Sequence, residues 1–141
     1  MARIRFNRRN KLGAEKVVLN GIEFDSKREA QRYSELRLLE RTGKITDLRL
    51  QVEYELIPAH FEDAPTGEVY KRGERKGEPK MKTVCVERGV SYTADFVYKE
   101  NGTEIVEDAK GFRDPESATY KVFILKRKMM LYFYGIKVKE V

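Results

Sequence analysis

YTADFVYKENGTEIVEDAKG, residues 92–111, organises the reading of this chain. Residues 90–98 and 103–109 are rich in β-branched and aromatic side chains, and Asn101-Gly102 between them is a strong turn signal. An antiparallel hairpin is expected. Asp95 interrupts an otherwise apolar strand. Asp108 and Lys110 stand two apart on the return strand, so their side chains share a face. Folding at 101–102 brings residue 108 back close to residue 95. Two carboxylates and an ammonium thus converge with little long-range folding. Glu107, adjacent to Asp108, is ambiguous, because a register slip of one residue would turn it to the other face; its better reading is a flanking residue.

Such a set suits phosphodiester hydrolysis. Asp95 and Asp108 offer hard oxygen ligands to Mg²⁺ or Mn²⁺. A metal there polarises the phosphate and lowers the pKa of a bound water. Lys110 can orient that water or stabilise charge developing on the phosphate. The backbone carbonyl of Ala109 is a further candidate ligand.

Outward from this segment, residues 16–24 read as a second hairpin around Asn20-Gly21. A helix is expected over 26–42, with Asp25 or Ser26 as N-cap, Ala30, Tyr33, Leu36 and Leu39 along one side, and Gly43 as terminator. Alternating apolar residues predict a strand over 48–56. Residues 62–82 are polar and interrupted by Gly and Pro, and read as a charged loop or protruding hairpin. Residues 83–87 form another strand, with Cys85 as a small core residue. Asp114-Pro115 has the form of a helix start. The helix should run to about Tyr132, turning Tyr120, Phe123, Ile124, Arg127 and Leu131 to one side, with Gly135 as stop. Residues 136–141 alternate as a last strand. This order implies an α/β or α+β fold, a mixed sheet with helices against it.

The chain has 141 residues, enough for one domain over 15–141 with a single core. Its charged fraction of 37% does not argue for disorder, because apolar residues recur in short patterns from Val17 onward. The net charge of +6 favours phosphate-bearing partners. Arg3, Arg5, Arg8, Arg9 and Lys11 make residues 1–14 a basic arm without a hydrophobic period, expected to be flexible. Lys71, Arg72, Arg75, Lys76, Lys80 and Lys82 form a second basic cluster, and Lys121, Lys126, Arg127 and Lys128 a third. One cysteine excludes an internal disulfide, and one cysteine with one histidine exclude a zinc site of the usual kind. No apolar run suits a membrane span or signal peptide. A cytoplasmic location is expected.

Asp95 followed, after a hairpin, by Asp108-Ala109-Lys110 resembles the signature of the PD-(D/E)xK nuclease superfamily. The stretches at 10–45, 93–98 (TADFVY), 105–112 (IVEDAKGF) and 136–141 resemble a phage and prophage family of uncharacterised nucleases within it, akin to Holliday-junction resolvases. The FDSKREA helix also resembles the first core helix of transposon-end-cutting nucleases of the same superfamily. The Pro of the motif name is absent, since Thr93-Ala94 precedes Asp95.

The resemblance implies a restriction-endonuclease-like fold and Mg²⁺-dependent cutting of DNA, branched DNA such as four-way junctions above all. It implies a homodimer, since junction cutting needs two coordinated cuts. In a phage or prophage protein the location would be the bacterial host's cytoplasm. It gives Glu29 a place among the metal ligands, and it points to Gln51 at the metal-bound water or DNA backbone. Lys121 is a candidate phosphate contact.

Each residue also has a plainer reading. Ser26-x-x-Glu29 is a capping box, and a capping glutamate needs no metal. Asp95 could form a buried ion pair, and Asp108 with Lys110 could be a charged hairpin end. His60 has no catalytic role. The alternative for the whole chain is a nucleic-acid-binding protein without catalysis, with an unrelated interaction module behind it.

Overall fold

The computed structural model describes residues 5–9, 15–110 and 113–141. In chain order these are β1 (Arg5–Arg9), β2 (Glu15–Leu19), β3 (Ile22–Phe24), α1 (Lys27–Arg41), β4 (Thr46–Ile57), β5 (His60–Val69), β6 (Pro79–Glu87), β7 (Val90–Glu100), β8 (Thr103–Asp108), α2 (Ala118–Tyr134) and β9 (Lys139–Glu140). This is an α+β fold. It falls into two compact units, Met1–Tyr54 with Tyr92–Val141, and Glu55–Ser91. Among the described residues no helix is long and apolar enough to cross a membrane.

The first unit holds a three-stranded sheet, β1-β2-β3, and a four-stranded sheet, β4-β7-β8-β9. The β7–β8 hairpin forms as its turn signal requires. Asn101 and Gly102 take φ of 50° and 76°, the left-handed values that a tight hairpin turn demands. The register is Phe96 opposite Glu107, Val97 opposite Val106 and Tyr98 opposite Ile105. β9 lies parallel to β8, with Asp108 opposite Glu140. The four-stranded sheet is therefore mixed.

Helix α1 starts where the capping box places it. Ser26 is the N-cap, and its side chain accepts a hydrogen bond from the Glu29 N–H at 3.2 Å. Gly43, with φ of 75°, follows its last turn. Ala30, Tyr33 and Leu36 recur at helical spacing and are buried. They meet Val17 and Phe24 of the first sheet, Ile45, and Phe96, Tyr98 and Ala109 of the second. Each fully buried large side chain there contributes about 1.5–3 kcal/mol. This core anchors both the start of α1 and the β7–β8 hairpin, the two pieces that carry the candidate site.

The second unit is the antiparallel β5–β6 hairpin with its flanks. Residues 62–82 are thus mostly strand, with a turn at 70–78. Leu56 is the one buried side chain among its residues. Gly89 allows a close backbone approach, since a Cβ there would lie 2.8 Å from the Ile57 carbonyl oxygen.

Several expectations need correction. Residues 5–9, read as part of an aperiodic arm, form a strand paired with β2. Cys85 is exposed rather than a core residue, because a two-stranded hairpin has no interior to hold it. Asp114-Pro115 does not start α2. The Asp114 carboxylate instead accepts from the Glu116 N–H at 2.9 Å, a local turn that competes with the helix, and Ser117 becomes the N-cap. Phe123 and Met130 are the buried residues of α2, whereas Leu131 is exposed. The last strand shortens to two residues.

Candidate active site

Asp95, Asp108, Lys110, Glu29 and Gln51 all belong to the first unit. Asp95 is held to the return strand of its own hairpin, since its Oδ2 accepts the Ala109 N–H at 2.8 Å. Its Oδ1 accepts from Gln51 Nε2 at 3.1 Å. Gln51 reaches it from β4 through a local irregularity, with φ of 50°, a left-handed value rarely taken by a non-glycine residue. Glu29, Gln51 and Asp95 line one cleft of about 260 Å³ together with Ile22, Phe24 and Asp25.

Asp108 is buried. Its Oδ2 accepts the Tyr92 hydroxyl at 2.9 Å. Its Oδ1 is buried and accepts no hydrogen bond, although Lys110 Nζ stands 2.7 Å away. That contact is a pairing of charges without hydrogen-bond alignment. The Lys110 ammonium also sits 4.2 Å from the centre of the Phe123 ring, a cation–π contact that tethers it from the α2 side.

The electrostatics favour a cation. Burial, and then the charge of Asp108, push the Asp95 carboxyl up to about 6, against the opposing hydrogen bonds from Ala109 and Gln51. Burial, and then the charge of Asp95, push Glu29 up to about 7. Glu29 thus takes part in the cap of α1, which Ser26 forms, while it lines the same cleft as Asp95. Its Oε1 accepts the Ser26 hydroxyl at 3.2 Å. Among the described residues, no three or more His, Cys, Asp and Glu side chains converge tightly enough to hold a metal ion as they stand. The Asp108 Oδ1, ion-paired with Lys110 but accepting no hydrogen bond, and the gathered charges of Asp95, Asp108 and Glu29 nonetheless suit a hard divalent cation, which would offset the burial and the repulsion that raise Asp95 and Glu29. Asp95, Asp108 and Glu29, with the Ala109 carbonyl, are the groups that would hold it.

The basic candidates are more scattered. Arg3 and Lys11 lie outside the described residues, while Arg5, Arg8 and Arg9 fall within β1. Lys71 and Arg72 are exposed at the turn of the β5–β6 unit. Lys121 is exposed and pairs with Glu116 at 3.4 Å.

Two features escaped the sequence reading. Tyr92 is a hydrogen-bond donor to Asp108. Glu107, read as a flanking residue, is fully buried and clamped by Arg32, whose Nε and Nη2 donate to its two oxygens at 2.8 and 2.7 Å, and by the Tyr98 hydroxyl at 2.6 Å. Arg32 lies three residues past Glu29 on α1, so this pair ties the helix bearing Glu29 to the strand bearing Asp108. The one available signal was an arginine beside the buried Tyr33, and it is one of four arginines on α1.

No curated protein and no solved structure matches the chain. A family model described as a protein of unknown function, DUF1064, matches residues 9–140, and the chain therefore belongs to that family.

Proposed function

We propose that this protein is a metal-dependent endonuclease that hydrolyses phosphodiester bonds in DNA. The observation that carries the reading is the hold of Asp95 on the Ala109 N–H, which sets one carboxylate against the Asp108-Ala109-Lys110 segment, with Glu29 and Gln51 in the adjoining cleft. Mg²⁺ or Mn²⁺ bound there would polarise the scissile phosphate and lower the pKa of a water. The chain's own groups have distinct parts. Asp95 and Asp108 supply negative charge from a rigid hairpin, and Tyr92 orients the Asp108 carboxylate. Lys110, steadied by Phe123, presents an ammonium to a phosphate oxygen or to the attacking water. Gln51 holds Asp95 through one N–H of its side-chain amide and has the second N–H to offer to water or the DNA backbone.

The finer proposal is a structure-selective enzyme acting on branched DNA such as four-way junctions, in the manner of the PD-(D/E)xK nucleases that the motif resembles. Two coordinated cuts would then require a homodimer. A phage or prophage origin and the bacterial cytoplasm as its place belong to the same proposal. Arg3, Arg5, Arg8, Arg9, Lys11, Lys71, Arg72 and Lys121 supply its phosphate contacts. The second reading, a DNA-binding protein without catalysis, is favoured by one observation, the Lys110 ammonium already neutralising Asp108.

One experiment separates the two. The protein is incubated with Mg²⁺ or Mn²⁺ and labelled duplex, flap, fork and four-way DNA, beside Asp95→Asn and Asp108→Asn, with calorimetric Mn²⁺ titration of each. Metal-dependent cutting by the parent, lost with metal binding in both variants, supports the nuclease. Binding of DNA with no cutting under any metal leaves the non-catalytic reading.

A further inference from the structure

Helix α2 leaves one side uncovered. Val122, Leu125 and Tyr132 recur at spacings that keep them on one flank of a helix, and they are 51%, 53% and 83% exposed. Phe133 beside them is 52% exposed. The Tyr132 and Phe133 rings stand 5.1 Å apart at 80°, an edge-to-face pair open to solvent. An exposed aromatic surface of this kind marks a binding surface.

The aromatic run continues inward. Tyr134 meets the Tyr54 ring edge-on at 5.5 Å. Tyr54 is an electrostatic neighbour of Tyr92, whose hydroxyl donates to Asp108. Tyr54 also lies three residues beyond Gln51 on β4, about 10 Å along a strand. The end of α2 that carries the uncovered rings thus also carries Tyr134, which leads through Tyr54 toward the candidate active site.

Charge selects the occupant. Residues 118–134 contain no Asp or Glu but carry Lys121, Lys126, Arg127 and Lys128. Arg127 is paired with Glu140 and Lys121 with Glu116, whereas Lys126 and Lys128 make no ion pair among the described residues. Lys128 lies one turn before Tyr132, and Lys126 two turns before Phe133. A second copy of α2 laid on this flank would bring lysine against lysine. The complementary ligand is a polyanion with flat apolar faces, which is an unpaired nucleic-acid strand.

We infer that Tyr132 and Phe133 form a stacking platform for unpaired nucleotides of a DNA strand whose phosphates are met by Lys126 and Lys128. The inference deepens the nuclease reading and rests on it for the strand's course toward Asp95 and Asp108. It assigns a preference for forks and flaps, the branched substrates with unpaired arms, to a specific surface, because a fully stacked duplex cannot offer its bases to these rings.

The test is done in EDTA, where no cutting occurs. Binding of oligothymidylate, of a fork carrying 2-aminopurine in its single-stranded arm, and of a plain duplex is measured for the parent, Tyr132→Ala, Phe133→Ala and Tyr132→Phe, with sedimentation of each protein alone. The parent should quench 2-aminopurine. Each alanine variant should bind oligothymidylate and fork about tenfold or more weakly and lose the quench. Tyr132→Phe should restore both, and duplex affinity should stay within about twofold of the parent in every variant. Alanine variants that bind single strands as tightly as the parent would overturn the platform. So would a parent dimer that Tyr132→Ala converts to monomer, since a second copy would then cover this flank. A parent that cuts no DNA with either metal, yet shows the ring-dependent quench, would sink the nuclease reading while upholding the platform.

Discussion

Glu107 and Asp108 are neighbours on β8, both buried, and they face opposite sides of one sheet. On one side Glu107 has donors on both oxygens. Arg32 reaches it with two N–H groups, Tyr98 adds a hydroxyl and Lys139 stands 3.8 Å off. On the other side Asp108 has one hydroxyl donor and an ammonium in poor alignment, leaving Oδ1 without a hydrogen bond. The difference reaches the titration behaviour. Burial alone would push Glu107 up, but the Arg32 and Tyr98 hydrogen bonds outweigh it and hold the carboxyl below its ordinary value. On the Asp108 side Asp95 is pushed up to about 6. A buried carboxylate that serves the fold is saturated with donors. A carboxylate that serves a ligand keeps acceptor capacity in reserve, at a cost in stability.

The largest expected effect tests the Asp108 side. Asp95→Asn and Asp108→Asn should each lower cleavage by at least about three orders of magnitude, about 4 kcal/mol in the barrier, because the amide keeps the shape and removes the charge that the proposed metal would need. Lys110→Ala should cripple turnover but spare Mn²⁺ binding, since an ammonium repels the ion. Both variants of the aspartates should still bind DNA, with less repulsion toward phosphate. Cleavage assays beside calorimetry decide it, and variants that cut like the parent would remove the contrast between the two faces.

Next comes the Glu107 side. Arg32→Ala leaves a buried carboxylate without its main partner and should lower folding stability by about 3 kcal/mol. Urea unfolding of parent and variant measures this. A loss of under about 0.5 kcal/mol would show that Arg32 behaves as a surface residue.

A smaller effect is visible in pH. Asp95 and Glu29 have folded pKa values raised to about 6 and about 7, from ordinary values of 3.8 and 4.5. The folded state then binds protons more tightly than the unfolded one, so these two groups lower stability as pH rises from about 4 to about 7. Glu107 has the opposite sign. Its lowered folded pKa gives stability that is present above 4.5 and lost as pH falls through the folded value. The melting temperature of the metal-free protein should therefore decline from mildly acid to neutral pH, and Asp95→Asn or added Mn²⁺ should flatten that decline. Glu29→Gln should flatten it too, with a milder effect on cleavage. A parent whose melting temperature rises over this interval would contradict the raised carboxyls.

The smallest effect concerns binding without chemistry. Lys71→Ser with Arg72→Ser, and separately removal of residues 1–9, should weaken DNA binding and flatten the dependence of log affinity on log salt, by about 0.9 for each phosphate no longer neutralised. Metal binding should not change. An unchanged slope would remove those cations from the footprint.

Short-range information carried much of this. The Asn101-Gly102 turn, with both residues at positive φ, sets a register in which Asp95 and Asp108 converge and Glu107 points away. The Ser26–Glu29 box marks the start of α1 for the same reason, because its hydrogen bonds join residues three apart. These features depend on neighbours in the chain, and backbone sterics and period-two alternation are enough to read them. Other outcomes rested on partners far away. Arg32 and Glu107 are 75 positions apart, and Gln51 and Asp95 are 44 apart, so no local pattern could pair them. Cys85 could pass for core because alternation states only that one face of a strand is apolar. Whether anything covers that face depends on what else packs there. The same holds for α2, whose apolar residues surround much of the helix. Packing chose Phe123 and Met130 for the interior and left Tyr132 and Phe133 to solvent, since burial is a property of the assembled surfaces and not of the residues taken one by one.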